Sequence, residues 1–261
     1  MEEKFLRYFI VAIFAFIAQL IDGGIGMGYG VSLTSLLLSI GFGTAMASAA
    51  VHMSEIFTTL FSGVSHFKFG NFDKKIFTYL AVSGVIGGAV GAYTAVKFQD
   101  ISLIKPFVSG ILLLMGLLVI IKYVKKSDAL EQEYNIPHRR HLVPLGLVAS
   151  FIDAVGGGGW GPISTPTLVM NNTHPKKAIG SVNAAEFLVT LSISLTFFLT
   201  MPKMEWDIIV SMIIGGIIAA PIAAMITKKL PHRALGIAVG CLIIFLSIRT
   251  ILKATGIGFL F

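Results

Sequence analysis

The amino-acid sequence predicts an all-α polytopic membrane protein made of two homologous repeats, each with about four to five transmembrane segments. Three observations lead to this prediction. Hydrophobic residues make up 55% of the chain and charged residues only 13%, whereas about 25% of an average soluble domain is charged. Apolar runs close to the roughly 20 residues that a spanning helix needs recur along the chain. An acidic residue followed by a glycine-rich tract occurs twice, 131 residues apart.

Each repeat opens with an apolar run that ends at an aspartate. Phe5–Ile21 leads into Asp22, and Leu142–Ile152 leads into Asp153. Because the first run has this counterpart in mid-chain, we interpret it as a retained spanning helix and not as a cleaved signal peptide.

A glycine-rich tract follows each aspartate and predicts a break in the first element of each repeat. Glycine costs about 1 kcal/mol relative to alanine in a helix interior, so several in succession make a continuous helix unfavourable. A short apolar run follows each tract, at Val31–Phe42 and at Pro162–Met170. The glycines at matching positions are Gly26, Gly28, Gly30, Gly157, Gly159 and Gly161.

Three further apolar runs complete each repeat. A charged central loop, residues 124–141, separates a first repeat (1–123) from a second (142–261). Basic residues lie in short clusters between the apolar runs, which is typical of membrane-flanking loops and excludes the continuous basic patch of a nucleic-acid-binding protein. The single cysteine, Cys241, excludes a disulfide within the chain. The six runs are Ala45–Phe67, Ile76–Val96, Lys105–Tyr123, Ala178–Thr200, Ile208–Ile226 and Leu235–Ile251.

The relative orientation of the repeats depends on how often each broken element crosses the membrane. One crossing gives parallel repeats and two crossings give inverted repeats. With the central loop in the cytoplasm, both arrangements place the same number of lysines and arginines inside, so the positive-inside rule does not choose between them. The direct count of five apolar runs per half favours two crossings and therefore inverted repeats.

The broken elements predict an anion-binding site between the repeats. A broken helix exposes backbone N–H groups, and the half-helix that follows adds a partial positive charge at its N-terminus. Transporters place sites of this kind between repeats. The alternative is that the glycines only allow close helix packing, which we favour for Gly84, Gly87, Gly88 and Gly91. The predicted substrate-binding residues are Gly26, Gly28, Tyr29, Gly30, Thr34, His52, Gly157, Gly159, Trp160, Gly161, Thr165, Ser181 and Asn183.

Tyr29 and Trp160 occupy matching positions within the tracts. An aromatic ring there can form a gate or simply fill the gap between helices. The sequence leaves both open.

Four acidic residues within or at the ends of apolar runs are the predicted proton-coupling groups. An ionisable residue at the centre of a spanning helix costs about 2.5–3.5 kcal/mol on insertion scales, so it marks function by default. Asp22 and Asp153 could instead cap helix ends, whereas Glu55 and Glu186 lie well inside their runs. Ionised carboxylates would repel an anion, but burial favours the neutral form. We therefore expect these groups to bind a proton coupled to anion movement.

His52 precedes Glu55 by three residues and shares its helix face. Such a pair can bind metal, but the matching residue in the second repeat is Asn183, a poor ligand, so we expect no metal and no cofactor. His52 is a possible proton carrier. His66, beside Lys68, is expected at the membrane interface. No nucleophile–base arrangement is evident, and we predict that the protein is not an enzyme.

The chain resembles the sulfite exporter TauE/SafE family, also called the TSUP family of membrane permeases, over nearly its whole length. The resemblance rests on the paired glycine tracts and on three short motifs. The sequence departs from the family pattern at one place: the Gly-Thr/Ser pair expected in the first polar span is Ala49-Ala50, whereas the second repeat keeps Gly180-Ser181. The three motifs are Gly70-Asn71-x-Asp73 after the first polar span, Gly87-Gly88-Ala89-x-Gly91-Ala92 in the third span, and Ala178-Ile179-Gly180-Ser181-Val182-Asn183 at the start of the second polar span.

The resemblance implies an inner-membrane permease for small sulfur-containing anions, such as sulfite or organosulfonates. We expect a secondary transporter, an exporter working by alternating access and coupled to protons or to the membrane potential. Its expected partners are the substrate anion, protons and the lipid bilayer, and a homodimer is possible. The alternatives are a passive anion channel or facilitator and, less favoured, a non-transporting membrane scaffold or enzyme.

Overall fold

The computed structural model describes residues 2–39, 42–98, 134–201 and 203–254, together with residues 113, 114, 117, 120, 121 and 124. Within these ranges the regular structure is entirely α-helical. Apart from those single residues, the predicted run Lys105–Tyr123 lies outside the described residues, as do residues 125–133 of the central loop.

The helices of the first predicted repeat follow the apolar runs closely. The first element is interrupted between its two helices, as the glycines predict, and two long helices follow. The four helices are α1 (Glu2–Ile25), α2 (Tyr29–Ser39), α3 (Thr44–Lys68) and α4 (Lys74–Lys97).

Within the described ranges, the second predicted repeat has the same order of helices and one more after them. The first helix continues four residues beyond the predicted run, to Gly156, because the acidic end is still helical and only the glycines stop it. The five helices are α5 (Arg139–Gly156), α6 (Trp160–Met170), α7 (Pro175–Thr200), α8 (Trp206–Lys229) and α9 (His232–Ala254).

Four helices in the described ranges are long and apolar enough to cross a membrane, over Tyr8–Ile25, Lys74–Lys97, Pro175–Thr200 and Trp206–Lys229. Helix α3 is as long, at 25 residues, but it carries buried polar side chains, among them His52, Glu55 and Thr59. Buried polar groups need partners inside the protein, so α3 belongs at the centre of the molecule.

Helices of one predicted repeat pack against helices of the other. Helix α1 lies along α8 in the same direction: the Tyr8 hydroxyl donates to Asp207 Oδ2 at 2.9 Å near one end, and the Thr227 hydroxyl donates to the Gly24 carbonyl at 2.9 Å near the other. Helices α4 and α5 form the corresponding pair. The two predicted repeats therefore do not fold as separate bodies.

Glycines make these close contacts possible. A Cβ atom on Gly87 of α4 would lie 2.2 Å from the Leu147 carbonyl oxygen, and one on Gly91 would lie 2.6 Å from that of Phe151. On α8, a Cβ atom on Gly215 would lie 2.0 Å from the Ala12 carbonyl oxygen. These distances are too short for any side chain, so the packing role predicted for the glycines of α4 is confirmed.

Helices α3 and α7 cross at the centre in opposite directions. Ser62 donates to Asn183 Oδ1 at 2.8 Å, while the ring of His52, ten residues earlier on α3, lies 6.2 Å from that of Phe197, fourteen residues later on α7. Both helices contact α8, and α4 contacts α7. The two broken elements lie beside the point where α3 and α7 cross, and they contact each other there.

Candidate functional site

Both helix breaks use backbone conformations that favour glycine. In the first, Gly26 has φ +83° and Gly28 has φ +127°; in the second, Gly157 has φ +66° and Gly158 has φ +151°. Left-handed conformations of this kind cost a residue with a Cβ atom free energy that glycine avoids. Gly26 and Gly157, which hold matching positions, each end the helix before them through an N–H bond to the carbonyl of Asp22 or Asp153.

The two breaks meet each other. A Cβ atom on Gly161 would lie 2.6 Å from the Gly26 carbonyl oxygen and 2.7 Å from Met27 Cα. On the other side, a Cβ atom on Gly30 would lie 3.0 Å from Gly158 Cα. The glycines therefore allow main chain to pack directly on main chain between the two predicted repeats.

A reciprocal pair of hydrogen bonds fastens this contact. The Thr165 hydroxyl donates to the Gly26 carbonyl at 2.8 Å, and the Thr34 hydroxyl donates to the Gly157 carbonyl. Donors and acceptors are related by the same 131-residue offset. Both threonines are buried. They satisfy carbonyl groups that the broken helices leave without an intrahelical partner.

The backbone N–H groups that the sequence predicts to be open for an anion are partly occupied in the structure. The Gly159 N–H donates to Asp153 Oδ1 at 2.7 Å, and the Tyr29 N–H donates to Asp22 Oδ1 at 3.3 Å. Each tract thus has one of its exposed N–H groups occupied by the aspartate that precedes it. In this conformation Asp22 and Asp153 therefore act as helix caps, which was the alternative role predicted for them. A substrate oxyanion would compete with these carboxylates for the same N–H groups.

His52 connects α3 to the second break. Its Nε2 lies 3.0 Å from Asp153 Oδ2 and 4.0 Å from Glu55 Oε2. Its Nδ1 lies 2.8 Å from the Ser48 carbonyl oxygen. The Ser48 hydroxyl donates to the Ala154 carbonyl at 2.9 Å. Sequence reasoning missed Ser48, although its position one turn before His52 on the same helix face could have indicated it.

Of the four acids of the site, Glu55 and Glu186 are the two whose carboxyl groups lack a hydrogen-bond partner among the described residues. Both are at most 5% exposed. Helices α3 and α7 hold them, and the negative charges of Asp22, Glu55 and Asp153 all act on Glu186. Four carboxyl groups and one imidazole thus share a buried region next to the meeting point of the breaks.

Within the described ranges, no three histidine, cysteine, aspartate or glutamate side chains are arranged to hold a metal ion.

Tyr29 and Trp160 are both buried and reach matching carbonyl groups in different ways. The Trp160 indole N–H donates to the Val182 carbonyl at 3.1 Å. The Tyr29 hydroxyl lies 3.0 Å from Ser54 Oγ, and Ser54 in turn donates to the Val51 carbonyl at 2.7 Å. The two aromatic side chains thus reach matching carbonyl groups, tryptophan directly and tyrosine through Ser54.

Two polar residues have partners that the sequence analysis did not expect. The Ser181 hydroxyl contacts no break: it accepts from the Asp73 N–H at 2.8 Å, at the loop before α4. His66 is fully buried within the protein, with Nε2 2.8 Å from the Gly23 carbonyl oxygen. The loop and the end of α1 that contact these residues are brought there by tertiary packing, which no local pattern reveals.

The same loop explains the departure at Ala49-Ala50. A Cβ atom on Gly180 would lie 2.1 Å from the Asn71 carbonyl oxygen, so glycine at this position allows the Gly70–Asp73 loop to pack against α7. Ser181 beside it bonds the Asp73 N–H of the same loop. The corresponding stretch of the second predicted repeat, residues 201–204, reads Met-Pro-Lys-Met and has neither the asparagine nor the aspartate. Ala49 and Ala50 therefore have no such loop to receive.

Asn183, the other residue of this helix predicted to line the site, does lie beside the first break. Its side-chain Oδ1 accepts from Ser62, and its Nδ2 lies 3.5 Å from the Asp22 carbonyl oxygen. It therefore joins α3, α7 and the end of α1.

Comparison with known proteins decides the family. The family described as "Sulfite exporter TauE/SafE" matches residues 11–250. The chain belongs to the TauE/SafE family. It is therefore a membrane transporter, as the resemblance implied, and its long apolar helices are those of a multi-pass membrane protein.

Two curated relatives of this TauE/SafE protein come from Bacillus subtilis (strain 168). The "Probable membrane transporter protein YtnM" is 42% identical over 248 residues, covering 92% of this chain and 82% of the relative. The "Probable membrane transporter protein YdhB" is 24% identical over 222 residues, covering 83% and 88%. No solved structure matches the chain.

Proposed function

We propose that this TauE/SafE transporter exports small sulfur-containing oxyanions, such as sulfite or organosulfonates, across the cell inner membrane in exchange with or together with protons. The observation that carries the proposal is the meeting of the two glycine breaks, fastened reciprocally by Thr34 and Thr165 and surrounded by four buried carboxyl groups. The family description supports the substrate class.

Recognition of the anion relies on backbone N–H groups and hydroxyls. The N–H groups of Tyr29 and Gly159 already bind carboxylate oxygens of this chain, which supports their ability to bind another oxyanion. Half-helices α2 and α6 start at these points and add partial positive charge. The substrate takes the place of Asp22 or Asp153 at these donors.

Protonation of the buried acids reduces the electrostatic repulsion between the site and the substrate anion. An anion entering beside Asp22, Glu55, Asp153 and Glu186 would be strongly repelled if all four were ionised, because charges interact strongly where water is scarce. Protonation of some of these groups removes the repulsion. Binding of a proton and of the anion then favour each other, which is what a coupled transporter requires.

Inverted repeats are part of the proposal, and the helix directions support them. Helices α1 and α5 are the matching first elements, and each runs parallel to a helix of the opposite repeat, α8 and α4. Helix α4 runs parallel to α7, because Lys177 near the start of α7 donates to the Phe72 carbonyl at 2.8 Å just before α4, and Ser192 further along α7 donates to the Val85 carbonyl at 2.9 Å.

Helix α3 runs antiparallel to α7 but parallel to α8, since a Cβ atom on Gly216 of α8 would meet Thr58 and Asn71 after α3 donates to the Ala224 carbonyl at 3.1 Å. The α1–α8 pair therefore points the opposite way from α4–α5. Alternating access follows from rocking one repeat against the other about the two breaks.

The proposal is tested with the full chain in proteoliposomes and radiolabelled sulfite. We expect transient accumulation in counterflow and faster transport when a proton gradient is imposed. A passive channel, the second candidate, gives flux without transient accumulation. Failure of sulfite, thiosulfate and sulfonates to move at all would contradict the proposed function.

The acid cluster gives a sharper test. We expect Glu55→Gln together with Glu186→Gln to abolish stimulation of sulfite transport by a proton gradient, because the amide keeps the shape of the acid but cannot take up a proton. Glu205→Gln, an exposed acid outside the site, is the matched control and should leave the stimulation intact. Proton-stimulated transport at the wild-type rate in the double variant would rule out these acids as coupling groups.

A further inference from the structure

One titratable residue of the site has no counterpart in the other repeat. His52 on α3 matches Asn183 on α7 by the 131-residue offset, and both are fully buried. The Asn183 amide donates to the Ile179 carbonyl at 3.1 Å and accepts from Ser62. His52 instead contacts a carboxyl group of the opposite repeat, Asp153, at 3.0 Å. Among the described residues, the aspartate of the second break thus contacts a histidine, whereas the aspartate of the first break does not.

The geometry fixes where the hydrogens of His52 lie. Nδ1 lies 2.8 Å from the Ser48 carbonyl oxygen, and a carbonyl oxygen can only accept, so Nδ1 carries a hydrogen. The Ser48 hydroxyl gives its own hydrogen to Ala154. Nε2 then faces Asp153 Oδ2 at 3.0 Å, where two bare acceptors would repel each other. One proton must therefore be shared between Nε2 and Oδ2.

The same aspartate holds a donor of the second break. While Oδ2 faces His52, Oδ1 accepts from the Gly159 N–H at 2.7 Å. A charged acceptor makes a hydrogen bond about twice as strong as a neutral one, so the hold of Asp153 on this N–H depends on where the shared proton lies. Asp22 makes the matching contact to the Tyr29 N–H at a longer 3.3 Å.

We propose that the proton shared by His52 and Asp153 is the coupled proton, and that its transfer to Asp153 releases the Gly159 N–H to the substrate anion. This inference rests on the proposed function. In the transfer, the N–H bond at Nε2 breaks and an O–H bond forms at Oδ2. Imidazolium becomes neutral imidazole, with its hydrogen on Nδ1, and carboxylate becomes carboxylic acid. No other reactant is needed.

The anion then takes the donor that the Asp153 carboxylate has given up. Neutral Asp153 binds the Gly159 N–H more weakly, and the entering oxyanion accepts from that N–H. When the proton leaves Asp153 with the anion, a second proton taken up through Glu55 protonates His52 again, and the Asp153 carboxylate, paired with imidazolium, returns to Gly159. Asp153 thus prevents an anion from crossing without a proton.

The other charged groups near His52 are all acidic. Glu55 faces Nε2 at 4.0 Å from the same helix, and Asp153 faces it from the end of α5. From α7 the neighbour is the ring of Phe197. Asp22 and Glu186 are buried acids of the same site. Glu55 is therefore the group placed to pass a proton to His52.

The first experiment compares two histidines of the same helix in proteoliposomes with sulfite. In His52→Asn we expect the dependence of half-saturation on pH and the stimulation by a proton gradient to disappear. His66→Asn is the matched control, because His66 is equally buried on α3 but bonds the Gly23 carbonyl and Asn71 instead of an acid. It should keep both properties. A wild-type pH profile in His52→Asn would overturn the inference.

The second experiment needs no substrate and separates this inference from the proposed function. In ¹⁵N nuclear magnetic resonance of the full chain in bilayers, with histidines labelled and His52 assigned through His52→Asn, Asp153→Asn should shift the Nε2 signal of His52 and leave His66 unchanged. An unmoved Nε2 signal overturns the shared proton even if sulfite is transported. A shifted signal in a protein that moves no sulfite supports the shared proton and overturns the proposed function instead.

Discussion

At the scale of single residues, two threonine hydroxyls decide whether the broken helices can be buried. Each break leaves carbonyl groups without an intrahelical partner, and a buried carbonyl without a hydrogen bond costs free energy. Thr165 and Thr34 donate to Gly26 and Gly157 across the two predicted repeats. The same side chains that satisfy the breaks therefore also join the repeats.

Thr165→Val should destabilise the protein by about 1–3 kcal/mol, because it keeps the shape of the side chain but leaves the Gly26 carbonyl buried and unsatisfied. The measurement is the apparent melting temperature of the purified protein in detergent. Thr167→Val is the control on the same helix: Thr167 bonds only the Ile163 carbonyl one turn earlier, which already has a helical partner, so we expect little change. Thr165→Ser should restore the wild-type value, and an unchanged melting temperature in Thr165→Val would contradict the role given to the hydroxyl.

At the scale of elements, the broken helices pack through main chain and not through side chains. Gly161 at the start of α6 lies against Gly26 and Met27, and Gly158 lies against Val31. Backbone at this distance from backbone leaves no room for a Cβ atom. Packing between such elements is therefore sensitive to the smallest substitution.

Gly161→Ala should lower the melting temperature and abolish sulfite transport, because its Cβ atom would lie 2.6 Å from the Gly26 carbonyl oxygen and must push the two breaks apart. Overpacking of this kind costs about 1–3 kcal/mol. Gly24→Ala is the matched control: it lies in α1 close to the same break, but no atom is found within 4 Å of its Cβ position. We expect it to be tolerated. Equal behaviour of the two variants would mean that the contact between the breaks does not matter.

At the scale of the whole molecule, the lysines of several loops gather at one end. Lys177 donates to the Gly70 and Phe72 carbonyls at 3.1 and 2.8 Å, and Lys176 donates to the Lys228 carbonyl at 2.7 Å. The loops after α3 and α8 and the start of α7 therefore lie together. Loops rich in lysine face the cytoplasm in membrane proteins, so under the proposed inverted arrangement we expect this end to face the cytoplasm.

Single cysteines introduced in a Cys241→Ser background test that arrangement. Lys68→Cys and Lys229→Cys should react with a membrane-impermeant thiol reagent only in inside-out vesicles. Lys97→Cys and Lys203→Cys, at the opposite helix ends, should react only in right-side-out vesicles. Parallel repeats predict a different pattern, in which Lys68 and Lys229 are labelled from opposite sides.

The sequence by itself determined the helical membrane class, the two breaks and most helix bounds, because these depend on local composition: apolar length, and glycine where no other residue fits. The 131-residue offset also placed Thr34 and Thr165 at matching positions, although it did not reveal the carbonyl groups to which they donate. The structure chose between the two roles predicted for the aspartates: they occupy amides predicted to bind the substrate, over only six or seven residues. Tertiary structure alone decided that Ser181 contacts a loop and that His52 faces Asp153. These two contacts join residues about a hundred positions apart, and the distance between their side chains follows from how the helices cross, which no local pattern contains.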